Sequence, residues 1–117
     1  MFERPTSGDR AVLVHLDIQP EGEREDRTEL AELVAATGTT AVAWVTGKRD
    51  TPDPRLFVGK GKGEEIRAAV QTHNADVIVV NHALSPTQER NLEQRTACRV
   101  MDRTRLILDI FAERARS

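Results

Sequence analysis

A chain of 117 residues has the length of one domain and can bury one modest core. Hydrophobic residues make up 38% and charged residues 31%, a balance compatible with a folded soluble protein, and aromatics at 3% with no tyrosine leave the core to aliphatic side chains. The net charge of −2 gives no overall attraction to nucleic acid, although residues 17–32 carry −5 and residues 33–117 carry +3. Every apolar run falls short of the ~18 residues a membrane helix needs. MFERPTSGDR lacks the basic-then-apolar order of a signal peptide, so a cytoplasmic protein without membrane contact is expected. Cys98, the only cysteine, excludes an internal disulfide and a cysteine-rich zinc site, and is expected to be a small buried hydrophobe.

In chain order, AVLVHL at Ala11–Leu16 is a nearly continuous apolar run, as expected of a strand covered on both faces. The acidic PEGEREDR segment reads as an exposed loop. From about Asp26, Leu30, Leu33 and Val34 recur at helical spacing until Gly38 supplies a stop. TAVAWVT at Thr40–Thr46 is a second strand, and TPDPR after it cannot continue a helix, so a loop must follow. LFV at Leu56–Val58 can pair only briefly before GKGKG leads into a helix from about Lys62 to His73, with Ile66, Ala69 and Val70 on one face. DVIVV at Asp76–Val80 is the strongest buried-strand signal and belongs at the centre of a sheet.

LSPTQ then sets up a helix start: Ser85 accepts from the Gln88 amide, Gln88 reaches back to the Ser85 amide, and Pro86 sits where a missing N–H costs nothing. That helix has little apolar content beyond Leu92, so Gln88, Arg90, Asn91 and Arg95 face solvent or a polar partner. CRVM at Cys98–Met101 is a fourth strand, and Asp102 caps a last helix over 103–116. This last helix is apolar over more than one stripe (Leu106, Ile107, Leu108, Ile110, Phe111), more than packing on one side of a sheet requires. The βαβαβαβα order predicts a single small three-layer α/β/α domain over residues 1–117, with a mainly parallel sheet of about four strands. Spacing does not fix the strand order, for which a flavodoxin-like 2-1-3-4 is taken as a guess.

Candidate chemistry is sparse. Gly59, Lys60, Gly61, Lys62 and Gly63 place bare amides and two ammonium groups at a helix start, where phosphate can bind. The P-loop pattern is nevertheless unmet, because Gly63 follows Lys62 and no hydroxyl is placed for magnesium. His15, His73 and His82 have no metal-ligand spacing, Ser85 lies outside any nucleophile-elbow pattern, and no general acid/base pair stands out, so neither a metal site nor a catalytic residue is expected. Arg95, Arg99, Arg103, Arg105, Arg114 and Arg116 fall within 22 residues, against Asp102, Asp109 and Glu113. The candidates for RNA phosphate are Lys60, Lys62, Arg90, Arg95, Arg103 and Arg105. Phe2, Trp44, Phe57 and Phe111 lie mostly in segments that read as buried, which leaves little for base stacking.

Three segments also carry a family resemblance. LSPTQERNLE at Leu84–Glu93 is similar to an LSP-x-Q-x-R-N-L-E segment, DRTRLILDIFAERA to a DRT-x-LILDIFA-x-RA segment, and FVGKGKGEEI occupies the matching place between them and the N-terminus. Over nearly its whole length the chain resembles the N-terminal domain of the HflX family of translational GTPases. Arg105 departs from the pattern, where glycine is more usual. The family's next parts, a long helical hairpin and a GTP-binding domain, are not carried, so its GTP and magnesium sites map to no residue here and no cofactor is expected in this chain. The resemblance implies an accessory domain of a protein that binds the large ribosomal subunit and separates subunits under stress. The expected partners are that subunit's rRNA and the helical and GTPase regions. Apart from the resemblance, exposed apolar surface on the last helix makes a homodimer through it possible in isolation. Two other readings are a small nucleotide-binding domain using Gly59–Gly63 and a purely structural module docking through Leu106, Ile110 and Phe111.

Overall fold

The computed structural model describes residues 9–17, 27–48 and 59–116; the side chains of Asp17, Lys48, Lys60 and residues 113–116 fall outside that description. Eight elements alternate: β1 (Arg10–Asp17), α1 (Arg27–Ala36), β2 (Thr40–Lys48), α2 (Lys60–His73), β3 (Val77–Val80), α3 (Pro86–Thr96), β4 (Arg99–Asp102) and α4 (Arg103–Arg116). The four strands form one sheet in the order β2-β1-β3-β4, which matches the flavodoxin-like guess. Every pairing is parallel, and that is what the alternation of elements predicts. Residues 20–26 of the PEGEREDR segment, the TPDPR loop and the short LFV strand lie outside the described residues, and Arg27 opens α1.

Side chains alternate across the sheet and build two cores. Val12, Val14, Leu16, Val45, Ile78, Val80 and Val100 face Ile66 and Val70 of α2 and Leu92 of α3. Ala11, Leu13, Val77, Val79 and Met101 face Leu30 and Val34 of α1 and Leu106 of α4. The chain steps from β1 to β2 through α1 on one face, then back across the sheet through α2 and α3 on the other. Reversing direction and face together keeps every crossover the same hand, as the rule for parallel units requires. β1 and β3 take the central positions, which explains why their sequences are apolar on both faces.

Local chemistry sets most boundaries. Gly38, at φ 78, ends the α1 connection in a conformation that favours glycine, with the Gly38 amide donating to the Ala35 carbonyl at 3.0 Å. β2 carries one extra residue, Val42, between the partners of Ala11 and Val12, a bulge on an edge strand. α2 begins two residues earlier than the glycine pattern predicts: Gly59 is the extended N-cap and the Gly63 amide donates to the Gly59 carbonyl at 2.9 Å. Lys60 to Gly63 therefore form the first helical turn and not a loop before it. At β4 the Val100 N–H is satisfied by Glu93 Oε2 of α3 at 3.0 Å.

Candidate functional site

Open parallel sheets place ligands beyond the carboxyl ends of their strands, at the point where strand order reverses, here between β1 and β3. In this domain that crevice is bridged by one side chain. Asn81 is 2% exposed; its Oδ1 accepts from the Leu16 amide at 2.9 Å and its Nδ2 donates to the Leu16 carbonyl at 3.1 Å. Its own amide donates to the Val14 carbonyl at 3.1 Å, and His82 Nε2 lies 3.0 Å from the Leu16 carbonyl. Asn81 and His82, at the crevice where such sheets hold ligands, thus act as a clasp between the two central strands.

The neighbouring end of β2 is occupied by Lys62. Its Nζ donates to the Thr46 carbonyl at 2.7 Å and to Glu65 Oε1 at 3.0 Å. A Cβ on Gly47 would sit 3.1 Å from Lys62 Cε, so glycine at 47 leaves room for the lysine to pass. Of the nucleotide candidates, Lys62 is committed within the fold, Gly61 and Gly63 lie inside the helix, Gly59 caps it, and the Lys60 side chain lies outside the described residues.

Beyond β3 and β4 a second set of bonds joins two helix starts. The capping box is formed as predicted, with Gln88 N–H to Ser85 Oγ at 3.1 Å and Ser85 N–H to Gln88 Oε1 at 2.9 Å. Asp102, 8% exposed, caps α4 by accepting from the Arg105 amide at 2.8 Å. Its other oxygen accepts from the Leu84 amide at 2.9 Å. That second bond spans 18 residues of sequence and has no local signal. Cys98 is buried, as expected, and burial pushes its thiol up to about 11.

The cation candidates divide by partner. Arg95 bonds Glu64 at 2.9 Å, and Arg103 bonds Glu29 of α1. Arg90 and Arg105 are exposed, but Arg105 stands close enough to the half-buried Glu89 to oppose the rise that burial imposes on that carboxyl. Arg99, counted in the basic cluster, is 7% exposed with Nη1 unpartnered and is no surface group; burial pulls its guanidinium below the ordinary value. Among the docking candidates, Leu106 is corrected to a core residue at 1% exposed, because it points into the α1–sheet core. Ile110 is half-buried on that core, and Phe111 is 62% exposed. Leu108, 63% exposed, belongs with Phe111 and was missed because an almost uniformly apolar segment hides which stripe faces inward. Trp44 is also exposed on β2, contrary to its buried reading; Phe2 and Phe57 lie outside the described residues. Among the described residues no helix is long and apolar enough to cross a membrane, and no group of three or more His, Cys, Asp or Glu could hold a metal.

The model of the GTP-binding GTPase N-terminal family matches residues 24–112. GTPase HflX of Escherichia coli strain K12 is 50% identical over 117 residues, which is all of this chain and 28% of that protein. GTPase HflX of Caldanaerobacter subterraneus is 41% identical, again over the whole chain and 27% of the relative. A crystal structure of a GTP-binding protein from the archaeon Sulfolobus solfataricus with GDP superposes with a TM-score of 0.66 at 16% identity, covering 88% of this chain and 30% of that one, a likeness of fold. The chain therefore spans less than a third of the length of the relatives it matches. Similarity over the whole of this chain to the N-terminal part of two HflX proteins and the family-model match over most of the chain lead to one assignment: the chain belongs to the HflX family and corresponds to its N-terminal domain.

Proposed function

We propose that this domain is an accessory module of an HflX-type GTP-binding protein in the cytoplasm, seating the GTPase region and contributing to large-subunit binding, with no hydrolytic activity of its own. The observation that carries it is the two-sided last helix: Leu106 is buried on the sheet while Leu108 and Phe111 stand 63% and 62% exposed on the other side. An apolar pair held outward on a helix that is already packed is suited to a further protein surface. Exposed arginines free of acidic partners support a contact to RNA phosphate. The absence of catalysis is supported by the internal use of Lys62, Asn81 and Asp102, which leaves the strand ends engaged within the fold. Large-subunit binding tested by co-sedimentation across a salt series, with a version extended by the following helical region beside it, separates the roles. The expected outcome is pelleting of the short chain at low salt and release as salt rises. Pelleting of the extended version alone would reduce the domain to a positioning module.

A further inference from the structure

We infer that the outward face of α2 and α3 is the RNA-contacting surface of the domain, and that Arg67 and Arg90 are its phosphate-neutralising groups. This rests on the large-subunit reading above and adds the face and the residues. Among the described side chains, four ionisable ones are exposed on the outward positions of these helices: Glu64, Glu65, Arg67 and Arg90. Glu64 is neutralised by Arg95 at 2.9 Å and Glu65 by Lys62 at 3.0 Å. Neither Arg67 nor Arg90 has an ion-pair partner among the described residues. The remaining acids of α3 serve the β4 side: Glu93 holds the Val100 amide, and Glu89 stands near Arg105 and Asp102. Among the described residues the face therefore presents two uncompensated guanidinium groups to solvent, with exposed Gln71 and Gln94 on the same helices.

Among the described residues the same face shows no exposed large hydrophobic for a protein partner. The exposed large hydrophobics, Trp44, Leu108 and Phe111, lie elsewhere: two on α4, and Trp44 on β2 between Ala43 and Val45, whose side chains belong to the α2–α3 core. Protein interfaces are anchored by buried aromatic and aliphatic groups, which this surface does not offer. Neighbouring helix axes lie roughly 8–10 Å apart, so two arginines on separate helices meet successive phosphates of a chain more readily than one small anion. The chemistry thus selects a polyanionic backbone and divides the domain into a polar RNA face and an apolar α4 face.

The test uses the 117-residue chain and purified large ribosomal subunits, comparing wild type with Arg67→Ala/Arg90→Ala, Arg67→Lys/Arg90→Lys and Leu108→Ser/Phe111→Ser over a salt series. The double alanine variant should lose about tenfold or more in low-salt affinity and flatten the log–log salt slope by roughly 1.5 to 2, the share of two phosphate contacts. The lysine variant should restore most of the slope, and the α4 variant should bind as wild type. Unchanged affinity and slope in the alanine variant, with wild type binding normally, would overturn the assignment of this face and leave large-subunit binding standing. Failure of wild type itself to sediment at low salt would remove both.

Discussion

Asn81→Leu removes the clasp between β1 and the end of β3 while nearly keeping side-chain volume. The Leu16 amide, bonded at 2.9 Å to Asn81 Oδ1, becomes a buried donor without that acceptor, whereas the Leu16 carbonyl keeps His82 at 3.0 Å. One orphaned buried group costs ~1–3 kcal/mol and the second lost bond about 1 kcal/mol, so a loss of about 3 kcal/mol is expected. With a urea m-value of roughly 1.5 kcal/mol/M, the unfolding midpoint falls by about 2 M. Asn81→Asp sharpens the test. At neutral pH it sets a carboxylate oxygen against the Leu16 carbonyl, where Nδ2 now donates at 3.1 Å in a site 2% exposed, so its folded pKa rises above the unfolded value near ~3.9. A raised folded pKa means that stability is fully present below the unfolded pKa and is lost as pH rises through the folded pKa. The aspartate variant should therefore approach wild type near pH 4 and fall behind it toward pH 7. An Asn81→Leu midpoint within about 0.3 M of wild type would refute the clasp, since one unsatisfied buried amide costs more than that.

Two further predictions concern burial. The folded Cys98 thiol, pushed up to about 11 by burial, should resist alkylation at pH 8 and react once urea unfolds the chain; because the fold favours the neutral thiol, stability should decline as pH rises from about 9 toward 11, a trend that Cys98→Ala should reduce in paired urea titrations. Leu106→Ala should cost ~2–5 kcal/mol, whereas Leu108→Ser/Phe111→Ser should change stability by about 0.5 kcal/mol or less per site, and equal losses in thermal melts would contradict the inward–outward division of α4.

What could be read from sequence was what is decided locally. The β3 run needs only apolar neighbours on both faces, and the Ser85 capping box closes within four residues, so both were legible down to the atoms involved. Asp102 was legible as a helix cap through its bond to Arg105, but its bond to Leu84 depends on β3 and β4 lying side by side. Lys62 looked free because its acceptor, the Thr46 carbonyl, lies on another element 16 residues earlier. The rotation of α4 was hidden for a different reason: with Leu106, Ile107, Leu108, Ile110 and Phe111 in one turn and a half, periodicity offers several inward stripes, and only contact with α1 and the sheet selects Leu106 and Ile110. Arg99 misled because arginine is so rarely buried.

The register of β1 bears on how the domain is made. Ala11 to Val14 bond on one side to β2 and on the other to Val77 through Val80, more than sixty residues further along. A chain synthesised from its N-terminus at roughly 5–20 residues per second holds β1 without its second neighbour for about 3 to 13 s. During that interval one of the most apolar segments of the protein can at best form half a sheet with β2, and α2 has only part of the surface it will finally cover. The arrival of β3 is then the event that makes the core, and Asn81, the residue immediately after it, locks the newcomer to Leu16 as soon as it pairs. Truncations ending before Val80 should accordingly aggregate when expressed, whereas chains carried on through α4, which supplies the last core residue Leu106, should collect in the soluble fraction.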